Sequence, residues 1–365
     1  MNPLSKLSKY FQGALFASAL LAAGTPAWSQ TQPTAPAKPR IVIVATGGTI
    51  AGAGASSANV NAYQSAVVGV DKLLAAVPEL RNVANVRGEQ LLQIGSESFN
   101  NQRWYQLARR VSDLLKSDDV DGVVITHGTD TMEETAYLLN LTLKSTKPVV
   151  LTGSMRPGTA LSADGPLNVY NAVVVAGSKQ AAGLGTLVVM NDEIHGARDL
   201  TKTQSLKVET FHSQYGPLGM VVEGQPRFYR IPSRPHTTQS EFDIEQIPQM
   251  PETNVVYTHG NMNRIALDAF TAAGSKGIVW AGFGAGSVPD YMDAPLKEAR
   301  ARGVVIVRTT RLAYGYTVRN GETNDDKNDY VVAEDQNPGK ARILLALALT
   351  KTRETQELQR IFWKY

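Results

Sequence analysis

The chain has no cysteine. That excludes disulfides, thiolate nucleophiles and thiolate metal sites together. It leaves the compartment open, because exported proteins also exist without disulfides. Histidine is scarce, with 5 in 365 residues. Those five are scattered and no H-E-x-x-H pair occurs, so a zinc-hydrolase ligand set is missing and no metal is expected. There is no G-x-S-x-G elbow, which removes the usual serine-hydrolase turn. An excess of one charge is lacking too: 36 basic against 33 acidic residues give a formal charge of +3. Nothing in that balance favours nucleic acid. Long apolar runs are also absent. Gly13 to Gly24 is apolar for about a dozen residues, short for a membrane span of about 20.

That short run has another reading. Lys6 and Lys9 precede it, and Ala27-Trp28-Ser29 follows as a small-x-small site. This is the pattern of an export signal over residues 1–29, with Gln30 as the first mature residue. Residues 30–39 form a proline-rich tether expected to be disordered. Loss of the signal removes two positive and no negative charges, so the formal charge becomes 3 − 2 = +1. No membrane contact is expected once the signal is gone.

From Arg40 onward, β-branched runs alternate with helical periodicity, the pattern of a parallel sheet with right-handed crossovers. The predicted fold class is α/β. A larger N-terminal domain (40–231) with a mostly parallel sheet flanked by helices precedes a smaller C-terminal α/β domain (253–365). Residues 232–252 carry several prolines and no periodicity and read as a linker. Most strands end in polar turns, which a parallel sheet lines up along one edge. Gly219–Glu223 and Arg227–Ile231 read as a hairpin around Gly224-Gln225, and Asp199–Thr203 as a polar loop with one lysine.

The stretch from Gly122 to Glu134 is the most informative. Gly122–Thr126 suits a buried strand, and His127–Asp130 is a polar turn. Met132, Ala136, Leu139 and Leu143 then recur at helical spacing. Thr131 with Glu134, or Asp130 with Glu133, has the spacing of a capping box. Thr129 and Asp130 therefore fall between a strand end and a helix start, where open α/β sheets take ligands. Arg40–Ala45 is a second buried strand, ending in the glycine loop Thr46–Gly54. That loop is neither G-x-G-x-x-G nor a phosphate-binding loop.

Thr49 and Thr129 each follow a strand and sit among glycines, where a substrate can approach the backbone. A threonine hydroxyl needs a base or a cation to become a nucleophile. Asp130 and Lys202 are available for Thr129, and Tyr63 is the nearest phenol to Thr49. The segment around Tyr63 reads either as a lid or as a surface loop with one anchoring tyrosine. A lone threonine at a strand end is most often a turn or cap residue. Two glycine–threonine turns together point to a site. Asp325, Asp326 and Asp329 lack calcium-loop spacing and read as a solvated acidic face.

Two motifs carry a resemblance: Ala45-Thr46-Gly47-Gly48-Thr49-Ile50-Ala51-Gly52 and Ile125-Thr126-His127-Gly128-Thr129-Asp130-Thr131-Met132-Glu133-Glu134-Thr135. With Met155-Arg156-Pro157, Ser162–Pro166 and Met190-Asn191-Asp192, they make the chain resemble the bacterial type II L-asparaginases, and among them the periplasmic glutaminase-asparaginases. The resemblance runs from about Ile41 to Tyr365. It implies an amidohydrolase that releases ammonia from L-glutamine and L-asparagine through a threonine acyl-enzyme, without a cofactor. Thr49 would be the nucleophile and Tyr63 its helper. Thr129, Asp130 and Lys202 would form a second triad. Gly48, Ser96, Glu97, Thr129 and Asp130 would bind the substrate. Oxyanion donors would be backbone N–H groups near Gly48 or Thr129. Glu97 fits the dual-activity branch, since asparagine-selective relatives tend to have Gln. Glu322 would reach Tyr63 from a neighbouring subunit, which implies a dimer at least and a homotetramer by the family's habit. Ala285 departs from the pattern, standing where relatives usually have Asn. The implied location is the periplasm.

An asparagine-selective enzyme is one alternative. A periplasmic amino-acid-binding protein is another; it would need neither Lys202 nor a mobile Tyr63 and would release no ammonia.

Overall fold

The computed structural model of the chain describes residues 37–365. The expected signal, and the expected tether up to residue 36, lie outside them. In chain order the elements begin with β1 (Arg40–Gly47), β2 (Ala53–Gly54) and β3 (Tyr63–Gln64). Then come α1 (Val70–Ala75), α2 (Leu80–Val83), β4 (Asn85–Ile94), α3 (Asn101–Lys116), β5 (Gly122–Thr126) and α4 (Met132–Thr142). Next are β6 (Val149–Thr152), α5 (Gly165–Ala176), β7 (Thr186–Met190), β8 (Glu193–Gly196), β9 (Leu200–Lys202) and β10 (Phe211–Ser213). The hairpin β11 (Gly219–Val222) and β12 (Gln225–Phe228) closes this half. The second half has β13 (Thr253–Tyr257), α6 (Ile265–Ala272), β14 (Gly277–Gly282), α7 (Asp290–Ala301) and β15 (Val305–Thr310). It ends with α8 (Asp325–Asn328), β16 (Val331–Val332), α9 (Pro338–Ala348) and α10 (Thr355–Lys364).

Eight strands form the larger sheet in the order β12-β11-β8-β7-β6-β5-β1-β4. β1 pairs in parallel with both β4 and β5, and β5, β6 and β7 continue in parallel. The chain thus steps from β1 to β4 on one side and then to β5 on the other. That reversal opens a crevice beyond the strand ends. The β1, β5, β6 and β7 runs are largely apolar because both faces are covered, whereas the edge strand β4 is polar. Ile41, Ile43, Val124, Val150 and Leu187 face one side with Val169 and Val173 of α5. Val42, Val44, Val123, Ile125 and Leu151 face the other with α3 and α4. Each such side chain contributes about 1.5–3 kcal/mol on burial.

The smaller sheet is β13-β14-β15-β16, all parallel. One face packs on α9 and α10, which also meet Tyr137, Leu138 and Leu141 of α4. α4 is therefore buried nearly all round, shared by both sheets. This mixed α/β architecture is the expected one. Residues 232–252 hold two short 3₁₀ turns and no strand, yet Phe242, Ile244, Ile247 and Met250 are buried.

Several local expectations are corrected. Neither capping box forms: Thr131 precedes α4 without a side-chain cap, and its hydroxyl donates to Ser96 O instead. Asn191-Asp192 is a left-handed hairpin turn (φ 51° and 64°) that sends β8 back antiparallel to β7. Lys202 lies on strand β9, paired with β10, not in a loop. The β11–β12 turn falls on Glu223-Gly224, one residue earlier than read. Asp325 is no solvated acid. It is fully buried and grips buried Arg308 through two hydrogen bonds of 2.6 and 2.8 Å.

Candidate active site

The ends of β1, β4 and β5 lie side by side, so their turns converge. Gly47 and Gly48 adopt φ of 110° and 81°. Gly48 also has ψ of −171°, a conformation only glycine takes readily. A Cβ on Gly48 would collide with the Gly128 backbone, and one on Gly128 would collide with Ser96. The three turns are thus in backbone contact because two of them carry no side chain there. This brings together the two threonine turns and the Gly95–Glu97 turn, which lie far apart in sequence.

Thr49 opens a short 3₁₀ turn after β1. Its hydroxyl is 2.7 Å from the Tyr63 hydroxyl. Tyr63 sits on β3, paired with β2, so the phenol is carried by a small hairpin and not by an irregular loop. Thr129 is 5% exposed. Lys202 Nζ donates to Thr129 Oγ1 at 2.8 Å and to Asp130 Oδ1 at 2.7 Å. The Asp130 carboxylate is largely open to solvent while Lys202 is mostly buried. The cation therefore faces inward and the acid outward.

Ser96 is buried, its hydroxyl accepting from the Asp130 N–H at 3.1 Å. Glu97 is exposed and folds back against Gly95. The Gly48 N–H is already donated to Ile94 O, so it is no oxyanion donor. Glu322 stands apart. It accepts from Ser287 within its own chain, and among the described residues that is its one side-chain hydrogen-bond partner.

Beneath the Thr129 turn lies a chain not anticipated from sequence. Trp104 Nε1 donates to Thr135 Oγ1, which pairs with His127 Nε2 at 2.9 Å. His127 Nδ1 lies 2.6 Å from Gly128 O. Burial pulls His127 down to about 4, so the ring is neutral at ordinary pH. A neutral ring donating from Nδ1 to the carbonyl accepts at Nε2, so the whole chain is satisfied in one direction. A second unanticipated group comes from the start of α9. Asn337 reaches Glu133 and Thr201, and Lys340 reaches the carbonyls of Arg198 and Leu200. Burial lowers Lys340 to about 8 and raises Glu133. The helix-start pattern Asn337-Pro338 was readable; its reach across to β9 was not.

Two threonines, each hydrogen-bonded to its own helper at a parallel-sheet edge, suit nucleophilic attack on a carbonyl. Residues 40–234 match the family description "Asparaginase, N-terminal", and residues 253–362 match "Glutaminase/Asparaginase C-terminal domain". The glutaminase-asparaginase of Pseudomonas fluorescens biotype A is 57% identical over 326 residues, spanning 89% of this chain and 90% of that protein. The protein named "Probable L-asparaginase periplasmic" of Haemophilus influenzae is 48% identical over 89% of this chain and 92% of its own length. The crystal structure of a probable cytoplasmic L-asparaginase from Campylobacter jejuni superposes with a TM-score of 0.87 at 44% identity, covering 90% of this chain and 100% of that one. On this agreement over nearly the whole described length, the chain belongs to the asparaginase family.

Proposed function

We propose that the chain hydrolyses the side-chain amides of L-glutamine and L-asparagine, releasing ammonia with L-glutamate and L-aspartate. The observation that carries this reading is the convergence of Thr49–Tyr63 with Lys202–Thr129–Asp130 across the Gly48–Gly128 contact. Relatives named glutaminase-asparaginase support the two substrates.

Thr49 Oγ attacks the amide carbon, and its proton leaves toward the Tyr63 oxygen. The C–N bond breaks, ammonia departs with that proton, and an acyl-threonine ester remains. With Gly48 committed to Ile94, the Thr129 N–H is the oxyanion donor this reading assigns. Thr129, polarised by Lys202, then directs water to the ester, and the acid product leaves. The exposed carboxylates of Asp130 and Glu97 take the substrate's α-ammonium, and Ser96 takes its α-carboxylate. No cofactor enters this sequence of steps.

In the same reading the site-bearing domain is 40–231 and the C-terminal domain 253–365, a division close to the two family matches. Glu322 completes a neighbour's site in a homotetramer. The N-terminal export pattern and the periplasmic name of one relative support export, although another relative is named cytoplasmic.

The test is ammonia release by the purified chain from L-Gln and L-Asn at matched concentrations. Comparable rates on both are expected. Activity on L-Asn alone would make the enzyme asparagine-selective and remove the role given to Glu97. No ammonia from either, with folded protein, would overturn the enzymatic reading.

A further inference from the structure

We propose that Asn337 and Lys340 are positioning residues that fix Lys202 against Thr129. The proposal rests on the reading above, in which Lys202 and Thr129 act at the reacting atoms.

Lys202 must be placed closely, since both of its hydrogen bonds are short, at 2.8 and 2.7 Å. Yet its strand is three residues long and pairs only with β10, in a two-stranded ribbon outside the large sheet. Such a ribbon has little stability of its own. The start of α9 supplies what the ribbon lacks. Lys340 is 3% exposed, and its Nζ donates to Arg198 O at 2.5 Å and Leu200 O at 2.7 Å, on both sides of the turn into β9. Asn337 Nδ2 donates to Thr201 Oγ1 at 3.2 Å, in the middle of β9.

The same Asn337 amide also holds the other partner. Its Nδ2 donates to Glu133 Oε2 at 3.0 Å, three residues beyond Asp130 in the first turn of α4. Its Oδ1 accepts the Lys340 N–H as the cap of α9, so the amide has no freedom to turn over. One side chain thus touches the strand carrying Lys202 and the helix that follows Thr129. The spacing between Lys202 and Thr129 is set from a third element. The charges are matched as well: Glu133, Asp199 and Asp335 surround Lys340 and Arg198. A buried lysine in an otherwise apolar helix start costs desolvation that methionine or leucine would avoid. The two carbonyls on β9 and its approach are what it gains.

The experiment measures kcat and KM for ammonia release by the full chain. Lys340→Met and Thr201→Val are each made alone and in a Lys202→Met background. Expected alone is a fall in kcat of about tenfold for Lys340→Met and several-fold for Thr201→Val, with KM within about twofold. Thr201→Ser restores the rate. In the Lys202→Met background neither substitution costs anything further, because the group being positioned is gone. Equal fold losses in both backgrounds would make the contacts merely structural and overturn the proposal, as would unchanged kcat in both single variants. If Lys340→Met does not unfold like the parent on heating, Thr201→Val, which deletes one hydroxyl, carries the same cycle. Lys202→Met is read first: a wild-type rate there overturns the underlying reading itself.

Discussion

A threonine hydroxyl becomes a nucleophile only where its proton has somewhere to go, and Thr49 has the Tyr63 oxygen at 2.7 Å. Thr49→Ala removes the attacking atom and should lower kcat by at least about a thousandfold, with the thermal unfolding midpoint unchanged. Thr129→Val removes the group on which Lys202 acts and should do the same. Full turnover in either folded variant would remove that residue from the reaction. His127 makes a different prediction, of stability and not of rate. Its folded value of about 4 lies below the ordinary 6.5, so the unfolded chain binds the extra proton between those values. Stability contributed by the neutral ring is complete above pH 6.5 and is lost as pH falls toward 4, by roughly 3 kcal/mol. The difference in unfolding midpoint between wild type and His127→Gln should shrink over that window; a pH-independent difference would contradict it. At this scale the legible residues were those flagged by glycine and a strand end: Thr49, Thr129 and Asp130. Lys340 was not legible, because a lysine in a helical run looks solvated until its partners are known. Asp325 was misread for the same reason, its partner Arg308 lying 17 residues away on β15.

The elements that bear the site are joined by glycine more than by side chains. Gly48 and Gly128 let two β-strand ends touch, and a Cβ on Gly48 meets both φ strain and the opposing backbone. Gly48→Ala should therefore cost at least about 2 kcal/mol and separate Thr49 from Thr129. The expected result is a lower unfolding midpoint and near-complete loss of ammonia release, both measured on the same preparation. An active variant of normal stability would show that the two turns need not touch. The longer elements were legible because buried strands and helices keep their character over a run of residues: β1, β5 and α4 fall within two residues of the expected bounds. The short ones were not. β8 and β9 have three or four residues, too few for any period, and their pairing comes from a left-handed Asn-Asp turn and from β10.

For the whole molecule, alternation of strands and helices sufficed to give one mostly parallel sheet and a smaller α/β unit, since that pattern closes in few ways. It said nothing of α4 serving both sheets, which depends on apolar residues all round one helix. Nor does a single chain bring Glu322 to Tyr63; the side chain is exposed and rests on Ser287, at the rim of loops held by Arg308 and Asp325. If Glu322 serves a neighbour's site, two inactive variants should repair one another. A Thr49→Ala protomer keeps a good Glu322, and a Glu322→Ala protomer keeps a good Thr49. Joined in one dimer, they form one site with both groups and one with neither. Mixing the two after gentle dissociation and reassembly should restore about a quarter of wild-type activity, since half the dimers of a random mixture are mixed and each has one good site of two. Glu322 acting within its own chain would leave every site in the mixture defective, and the activity would stay at the mean of the two parents.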